Sequence, residues 1–275
     1  MLRMTSRRPV LVTGAAGRIG SYFSTYSLEK YDLTLMLRAT EQVAEELATK
    51  ATIVHCDIAD LENLKSLFQG IDTVVHLAAT PDPNATWSEI LALNIVGTYN
   101  VFAAAKAANC RRVVFASSIH AVTGYPQDVQ VKTTDPVNPG DLYGVSKCFG
   151  EALGRYLAEQ EGISVIAIRI GAFQPHENVK GEGALTMLDA WVSERDLAQL
   201  ICRCIDDTDI RFAIFHGLSD NRFKRLDITD ARERLGYEPQ DDFAAENRQL
   251  AAIPLPASTE SVLSGELSGM RDDVR

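Results

Sequence analysis

The run Thr13-Gly-Ala-Ala-Gly-Arg-Ile-Gly20, placed directly after Pro9-Val-Leu-Val12, limits what this chain can fold into more than any other stretch. The apolar run before it suits a strand buried on both faces of a parallel sheet. A helical stretch begins about Arg18. Between strand and helix, Gly14, Gly17 and Gly20 serve three mechanical needs: a tight turn, close approach of backbone to a pyrophosphate, and close packing of helix on sheet. Backbone N–H groups at such a helix start face phosphates. The expected cofactor cradle is therefore Gly14, Ala16, Gly17, Arg18, Ile19 and Gly20.

The rest of the chain keeps the same rhythm. Apolar strands are predicted at Leu33–Leu37, Thr52–His55, Asp72–Leu77, Arg112–Ser117, Ser164–Ile170 and Ile210–Phe215. Helical patterns lie between them, such as Leu61, Leu64, Leu67 and Phe68, and the alanine-rich run from Ile95 to Ala108. A further helix should start at a Ser193 cap and turn Leu197, Leu200, Ile201, Cys204 and Ile205 toward the core. Strand–helix alternation predicts an α/β fold, a Rossmann-type doubly wound parallel sheet with right-handed crossovers. Ligands in such a sheet sit beyond the carboxyl ends of the strands, at the switch point. The glycine loop, Asp57, Ala78-Ala79 and Ser117-Ser118 all fall at such ends.

Tyr143-Gly-Val-Ser-Lys147 supplies the chemistry. A tyrosine is no base near neutral pH unless something lowers its pKa from about 10. A lysine four residues later on a helix shares its face one turn on, and its ammonium favours the phenolate. A serine from a neighbouring strand end, Ser118, could hold the substrate oxygen against that phenol.

Together these residues resemble the extended short-chain dehydrogenase/reductase family, also called the NAD-dependent epimerase/dehydratase family. The resemblance rests on TGxxGxxG at Gly14, Asp57-Ile58 after the third strand, HLAA at 76–79, Asn94, the serines at 117–118 and YxxxK at 143–147. It spans roughly residues 9 to 238. Within the family, FASSIHAV (115–122), LYGVSKCFGE (142–151), AIRIG (167–171) and HGLSDN (216–221) look most like uronate dehydrogenases and a haloarchaeal-type glucose-6-phosphate dehydrogenase. The resemblance implies Ser118 as catalytic serine, Tyr143 as acid/base, and Lys147 as the partner that lowers its pKa and binds ribose. It implies Asp57 near the adenine amino group, with Ile58, Leu77, Ala78, Ala79, Asn94 and Ile170 completing the cofactor site. Thr80, Ser118, Ile119, His120, Ala172 and Thr186 are the expected substrate contacts. The implied reaction is hydride transfer between a nicotinamide cofactor and a sugar hydroxyl, giving a lactone. An epimerase or dehydratase of the same fold, and a catalytically silent NAD(P)-binding regulator, stay open as alternatives. The resemblance also implies a homodimer packing the helices around 95–108 and 143–160.

Three positions depart from the uronate dehydrogenase pattern. Ile119 stands where an Asn is usual, Ala172 where a Ser is usual, and Thr186 where an Arg grips the substrate carboxylate. A carboxylate without its bidentate arginine loses a charge-assisted pair, so these departures argue against a uronate substrate. Lys180, Arg222 and Lys224 are the basic residues that could grip a phosphate instead, though each reads first as surface. Cofactor choice is NAD or NADP. The second strand ends Leu33-Thr-Leu-Met-Leu37 without the acid that NAD specialists place there, and Arg38 could meet a 2′-phosphate, a lean toward NADP.

Composition bounds the remainder. With 275 residues and 46% hydrophobic content, the chain can bury a full core as a single domain over 9–250, with a small substrate-binding subregion mainly at 172–192 and 216–240. The polar segment Phe173 to Ala184 is a candidate lid. Residues 1–8 read as a flexible arm and 251–275 as a mobile tail. A net charge of −10 argues against nucleic acid and anionic membranes as partners. No run of 18 apolar residues marks a spanning helix. The five cysteines show no CxxC pairing and read as free thiols in a reducing cytoplasm, with no metal site. Of the histidines, His55 and His76 are expected in the core, His216 near the site and His176 on a surface loop.

Overall fold

A computed structural model describes residues 7–251. The expected arm and tail therefore lie largely outside the described residues. The chain runs β1 (Arg8–Thr13), α1 (Arg18–Ser27), β2 (Tyr31–Leu37), α2 (Glu45–Lys50), β3 (Thr52–His55), α3 (Leu61–Leu67) and β4 (Thr73–His76). It continues through α4 (Trp87–Glu89), a π-helical stretch Ile90–Gly97, α5 (Thr98–Ala107), β5 (Arg112–Ser118) and α6 (Leu142–Tyr156). Then follow β6 (Ser164–Ile170), β7 (Ala172–Phe173), β8 (Trp191–Val192), α7 (Glu194–Asp206), β9 (Phe212–Gly217) and α8 (Thr229–Leu235).

Seven strands form one parallel sheet in the order β3-β2-β1-β4-β5-β6-β9. The chain winds outward from β1 in one direction and from β4 in the other, so the crevice of the switch point opens between β1 and β4. Each face of the sheet carries its own apolar core. One includes Val10, Val12, Leu35, Val75 and Ile168 against α1 and α7, and the other Leu11, Val74, Val113 and Ala167 against α3 and α5. Alternate residues of each strand feed the two cores, which is why the strands read as continuous apolar runs.

The predicted strands are present with shifted ends. β9 starts two residues later than expected because the Ile210 N–H closes a turn on the Asp207 carboxylate. The alanine-rich helix begins at Trp87, well before Ile95, because Thr86 and Glu89 form a reciprocal capping box there. The whole helical stretch Trp87–Ala107 is long and apolar enough to cross a membrane by composition, but half of it is buried inside the fold. Its Val101, Phe102, Ala104 and Ala105 belong to the core between α3 and α6. Ser193 caps α7 as expected, its hydroxyl accepting the Asp196 N–H at 3.2 Å.

Two satellite clusters lie outside the sheet's cores and carry the segments expected to form a substrate subregion. Val122, Val131, Leu218, Leu226 and Ile228 form one. Val179, Ala184, Trp191 and Phe243 form the other. The second cluster anchors the segment expected as a lid: Trp191 donates to the Gln174 carbonyl, and Asn247 to the carbonyls of Val179 and Gly181.

Candidate active site

The carboxyl ends of β1, β4, β5 and β6 open onto a cleft of about 430 Å³. Gly14, Gly17, Arg18, Ile19 and Gly20 line one side of it. Ser118, His120, Tyr143 and Lys147 line the other, with Leu77, Ala79, Ile119, Ile170 and Ala172 as apolar walls. Residues spread over more than 150 positions of sequence thus meet as the strand ends foretold.

The cradle fits a pyrophosphate. Gly14 has φ +67°, and a Cβ there would stand 2.8 Å from the Ala78 nitrogen, so only glycine lets β1 turn beside β4. α1 starts at Gly17 with no side chain capping it. Its first N–H groups have no partner within the helix and face an anion arriving at the cleft. Arg18 reaches over the mouth, donating to the Phe173 carbonyl at 3.0 Å and to Gln174 Oε1 at 2.7 Å.

Ser118, Tyr143 and Lys147 stand together and are nearly buried. The Ser118 hydroxyl oxygen accepts the His120 N–H at 3.2 Å, which leaves its proton to donate. Tyr143 is held above the usual phenol value by burial; a hydrogen bond with Ser118 pulls the other way, and the Asp141 charge adds to the rise. Lys147 Nζ donates to the Ala116 carbonyl at 2.9 Å and lies 5.4 Å from the Tyr143 ring centre. Burial pushes the Lys147 ammonium down to about 7. The site therefore holds a phenol reluctant to ionise beside an amine that titrates near neutrality, which is the pairing a proton-transfer site needs.

Other expected contacts fall elsewhere. Asn94 is buried and works as a clamp: its Oδ1 accepts the Thr80 N–H at 2.9 Å, and its Nδ2 donates to the Thr80 carbonyl and to Ser146 Oγ. Thr80 is thereby fixed after β4, while Ala78 donates its N–H to the Thr13 hydroxyl; neither lines the cleft, and Ala16 packs against the core instead. Arg38, Asp57 and Ile58 follow β2 and β3 beyond the cleft, Arg38 and Asp57 exposed and Ile58 buried. Thr186 lines a separate cavity of about 210 Å³ on the far side of Ile119, with Gln127, Asp189 and Arg225. Lys224 and Arg222 pair with Asp220 and Asp242 on the surface, and Lys180 is exposed.

Among the histidines, His76 is a core residue as expected, held between the Thr13 and Thr98 hydroxyls and pushed down to about 3 by burial. His55 is exposed, bonded to the Arg38 carbonyl at 3.1 Å, because β3 is an edge strand. His216 is fully buried and outside the cleft, its Nδ1 on the Asp227 carbonyl. His176 stacks edge-on against Trp191 between the Asp241 and Glu246 carboxylates. These three groups bring ligand atoms within 4.8 Å of one another, although Arg195 already occupies the Asp241 carboxylate. All five cysteines are free, and four are buried.

Asp141 and Glu151 are functional neighbours that sequence reasoning passed over. Asp141 occupies the N-cap of α6 and holds the His120 ring. Glu151, one turn beyond Lys147, accepts the Ser117 hydroxyl at 2.6 Å and a bidentate pair from Arg169. Both positions carried a signal: an acid just before a helix start, and the next place on the Tyr143–Lys147 face.

The Lys147 amine makes stability depend on pH. Between about 7 and its ordinary 10.5 the unfolded chain holds a proton that the folded chain lacks. Stability then rises with pH across that window, by at most about 1.4 kcal/mol per unit. Chemical denaturation of the wild type and of Lys147→Met at pH 7 and pH 9.5 should show the difference between them growing in favour of the wild type. Parallel curves would mean the amine is not buried as described.

The NAD dependent epimerase/dehydratase family matches residues 10–207. The chain is 36% identical to the NAD-dependent glucose-6-phosphate dehydrogenase of Haloferax volcanii, over 86% of this chain and 95% of that protein. It is 33% identical to the uronate dehydrogenase of Pseudomonas putida, over 91% of each. A variant of uronate dehydrogenase from Agrobacterium tumefaciens, solved in complex with NAD, superposes with a TM-score of 0.79 at 30% identity, covering 93% of both chains. With a glycine cradle, a serine–tyrosine–lysine site and matches of this extent, the chain belongs to the NAD-dependent epimerase/dehydratase family.

Proposed function

We propose that the chain is an NAD-dependent dehydrogenase that oxidises the anomeric hydroxyl of a sugar to a lactone. The observation that carries this reading is the Ser118–Tyr143–Lys147 cluster set directly across the cleft from the glycine cradle. A bound NAD would supply the acceptor for the hydride of the anomeric carbon. Gly14 to Gly20 would hold its phosphates, and Lys147 would take ribose hydroxyls. Tyr143 as phenolate takes the hydroxyl proton as the C–H bond breaks, and the carbonyl of the lactone forms. Ser118 donates to the reacting oxygen and fixes its direction. Ile119 and Ala172 give the reacting end an apolar wall, which supports a neutral or distally charged aldose over a uronate.

The test is coenzyme reduction followed at the nicotinamide absorbance band, with glucose, glucose 6-phosphate, galactose, arabinose, glucuronate and galacturonate. Tyr143→Phe should lower turnover by about 10²–10⁴-fold while coenzyme binding by fluorescence stays at the wild-type level. Turnover that survives the change would remove Tyr143 as base. Coenzyme binding without net reduction of any kind would favour an epimerase, which returns its hydride.

NAD is proposed as the working coenzyme over NADP. Arg38 carries Glu41 on its guanidinium, Nε to Oε1 at 2.8 Å, and Glu41 Oε2 also accepts the Arg38 N–H at 2.9 Å. That carboxylate neutralises the charge a 2′-phosphate would seek, and it stands near the strand end where the sequence shows no acid. Glu41→Gln should raise kcat/KM for NADP relative to NAD by about tenfold. A wild type that already prefers NADP would overturn the assignment.

A homodimer is proposed through the helical face formed by α4, α5 and α6. Trp87, Tyr99 and Tyr156 are each about half exposed there, beside Leu91, Val96 and Val145. Such an apolar surface on adjacent helices marks an interaction site. Light scattering should give twice the chain mass, and Tyr99→Glu should reduce it to one. A monomeric wild type would exclude the dimer. Free thiols and an acidic surface suit a cytoplasmic enzyme with small-molecule partners rather than nucleic acid or membrane.

A further inference from the structure

Asp141 divides its carboxylate between two duties. Oδ1 accepts the Gly144 N–H at 2.7 Å and so caps the helix that carries Tyr143 and Lys147. Oδ2 lies 2.6 Å from Nδ1 of His120, with both side chains largely buried, at 29% and 23% exposure. The His120 main chain is already fixed, its N–H on Ser118 Oγ and its carbonyl accepting from the Thr123 hydroxyl. Its ring stands edge-on to the Tyr143 ring, centres 5.3 Å apart, and lines the cleft beside Ser118. A cap needs one oxygen, so the second contact calls for its own explanation.

A carboxylate can only accept, so the nitrogen facing it carries the proton. Nε2 of His120 makes no hydrogen bond among the described residues. We propose that Asp141 is a positioning residue: it holds the imidazole with its proton on Nδ1, leaving Nε2 as an acceptor for a substrate hydroxyl next to the reacting carbon. The inference rests on the sugar dehydrogenase reading for its substrate. The ring stands beside Tyr143 and Ser118 in the same cleft, so its free nitrogen would be the acceptor nearest a hydroxyl neighbouring the oxygen they would hold. A vicinal hydroxyl donated to Nε2 then fixes the ring's rotation over the cleft, and an aldose that lacks the hydroxyl loses that hold. Specificity for a hydroxyl at the second carbon is thus set by a residue that never touches the substrate.

Asp141→Asn separates the two duties. The Asn oxygen can still cap Gly144, but its amide, turned to His120, presents a donor. Two donors repel, so the imidazole proton should move to Nε2. Nitrogen-15 spectra of histidine-labelled protein read this directly, with His120→Gln assigning the signal among five histidines. The wild type should show the Nδ1–H form and Asp141→Asn the Nε2–H form. In turnover, glucose and glucose 6-phosphate are compared with their 2-deoxy counterparts. Asp141→Asn should lower kcat/KM for the 2-hydroxy sugars about tenfold and change the 2-deoxy sugars little. His120→Ala should show the same loss, and adding Asp141→Asn to it should lower kcat/KM no further. A wild-type His120 protonated on Nε2 overturns the proposal, as does unchanged discrimination in Asp141→Asn. If no aldose reduces NAD, the dehydrogenase reading fails, while the tautomer measurement still decides the role of Asp141.

Discussion

The buried ion pair of Glu151 with Arg169 sets where Tyr143 and Lys147 stand. Arg169 comes from β6 and meets Glu151 of α6 in two parallel bonds of 2.9 Å, both side chains almost fully buried. Ser117 of β5 adds its hydroxyl to the same carboxylate. Removing one partner of such a pair leaves an uncompensated charge, at a cost of about 3–5 kcal/mol. One carboxylate therefore ties a helix to two adjacent strands. Tyr143, Lys147 and Glu151 follow each other at four-residue steps, so fixing the last fixes the face that bears the others. Ser118 is the next residue after Ser117 and points the other way along β5. The helix can come this close because a Cβ at Gly150 would stand 2.2 Å from the Phe115 ring. The ion pair and the missing side chain are two halves of one constraint on helix–sheet distance.

The same closeness produces the electrostatics. A lysine pressed onto the Ala116 carbonyl and the Phe115 ring loses water that would otherwise solvate its charge. Tyr143 is desolvated by the same wall and resists ionisation for the same reason. Neither group alone is suited to base catalysis. Set side by side, each charge lowers the other's burial penalty, so proton loss from the phenol and charge on the amine favour one another.

How much of this could be read from the sequence depends on the distance over which the cause acts. The glycine loop, the strand ends and the Tyr143–Lys147 spacing are local, and the structure brings Gly14, Ser118, Tyr143 and Lys147 to one cleft as expected. Asn94 is expected in the cofactor site, yet its amide is consumed by Thr80 and Ser146, partners that no spacing rule connects to it. Arg38 looked free because its partner Glu41 follows the strand and is brought back only by the turn between them. His55 and His76 sit in strands of identical length, but one strand is an edge and the other is central, which only the sheet order decides. Thr186 falls in a neighbouring cavity whose lining shares Ile119 alone with the cleft of Tyr143. In each case the missing information was a tertiary neighbour, not a residue preference.

The divide at Ile119 bears on where substrates would be told apart. On the Tyr143 side of the cleft the polar side chains are Ser117, Ser118, His120, Tyr143 and Lys147, and Leu77, Ala79, Ile119, Ile170 and Ala172 are among its apolar walls. An apolar wall separates candidates weakly: a methylene more or less is worth about 1–3 kcal/mol, whereas a group built to bond one hydroxyl penalises its absence far more. Beyond Ile119, the smaller cavity offers Thr186, Gln127, Asp189 and Arg225, a mixed set of donors and one acid without a single dominant charge. Arg225 is partly committed already, its guanidinium donating to the Tyr125 carbonyl. A substrate reaching past Ile119 would meet that mixed surface, while the polar groups with fixed directions lie near Tyr143. Asp141 bonds His120 at the start of α6 and Glu151 bonds Ser117 and Arg169 further along, so the helix is tied to its neighbours on both sides of Tyr143 and Lys147.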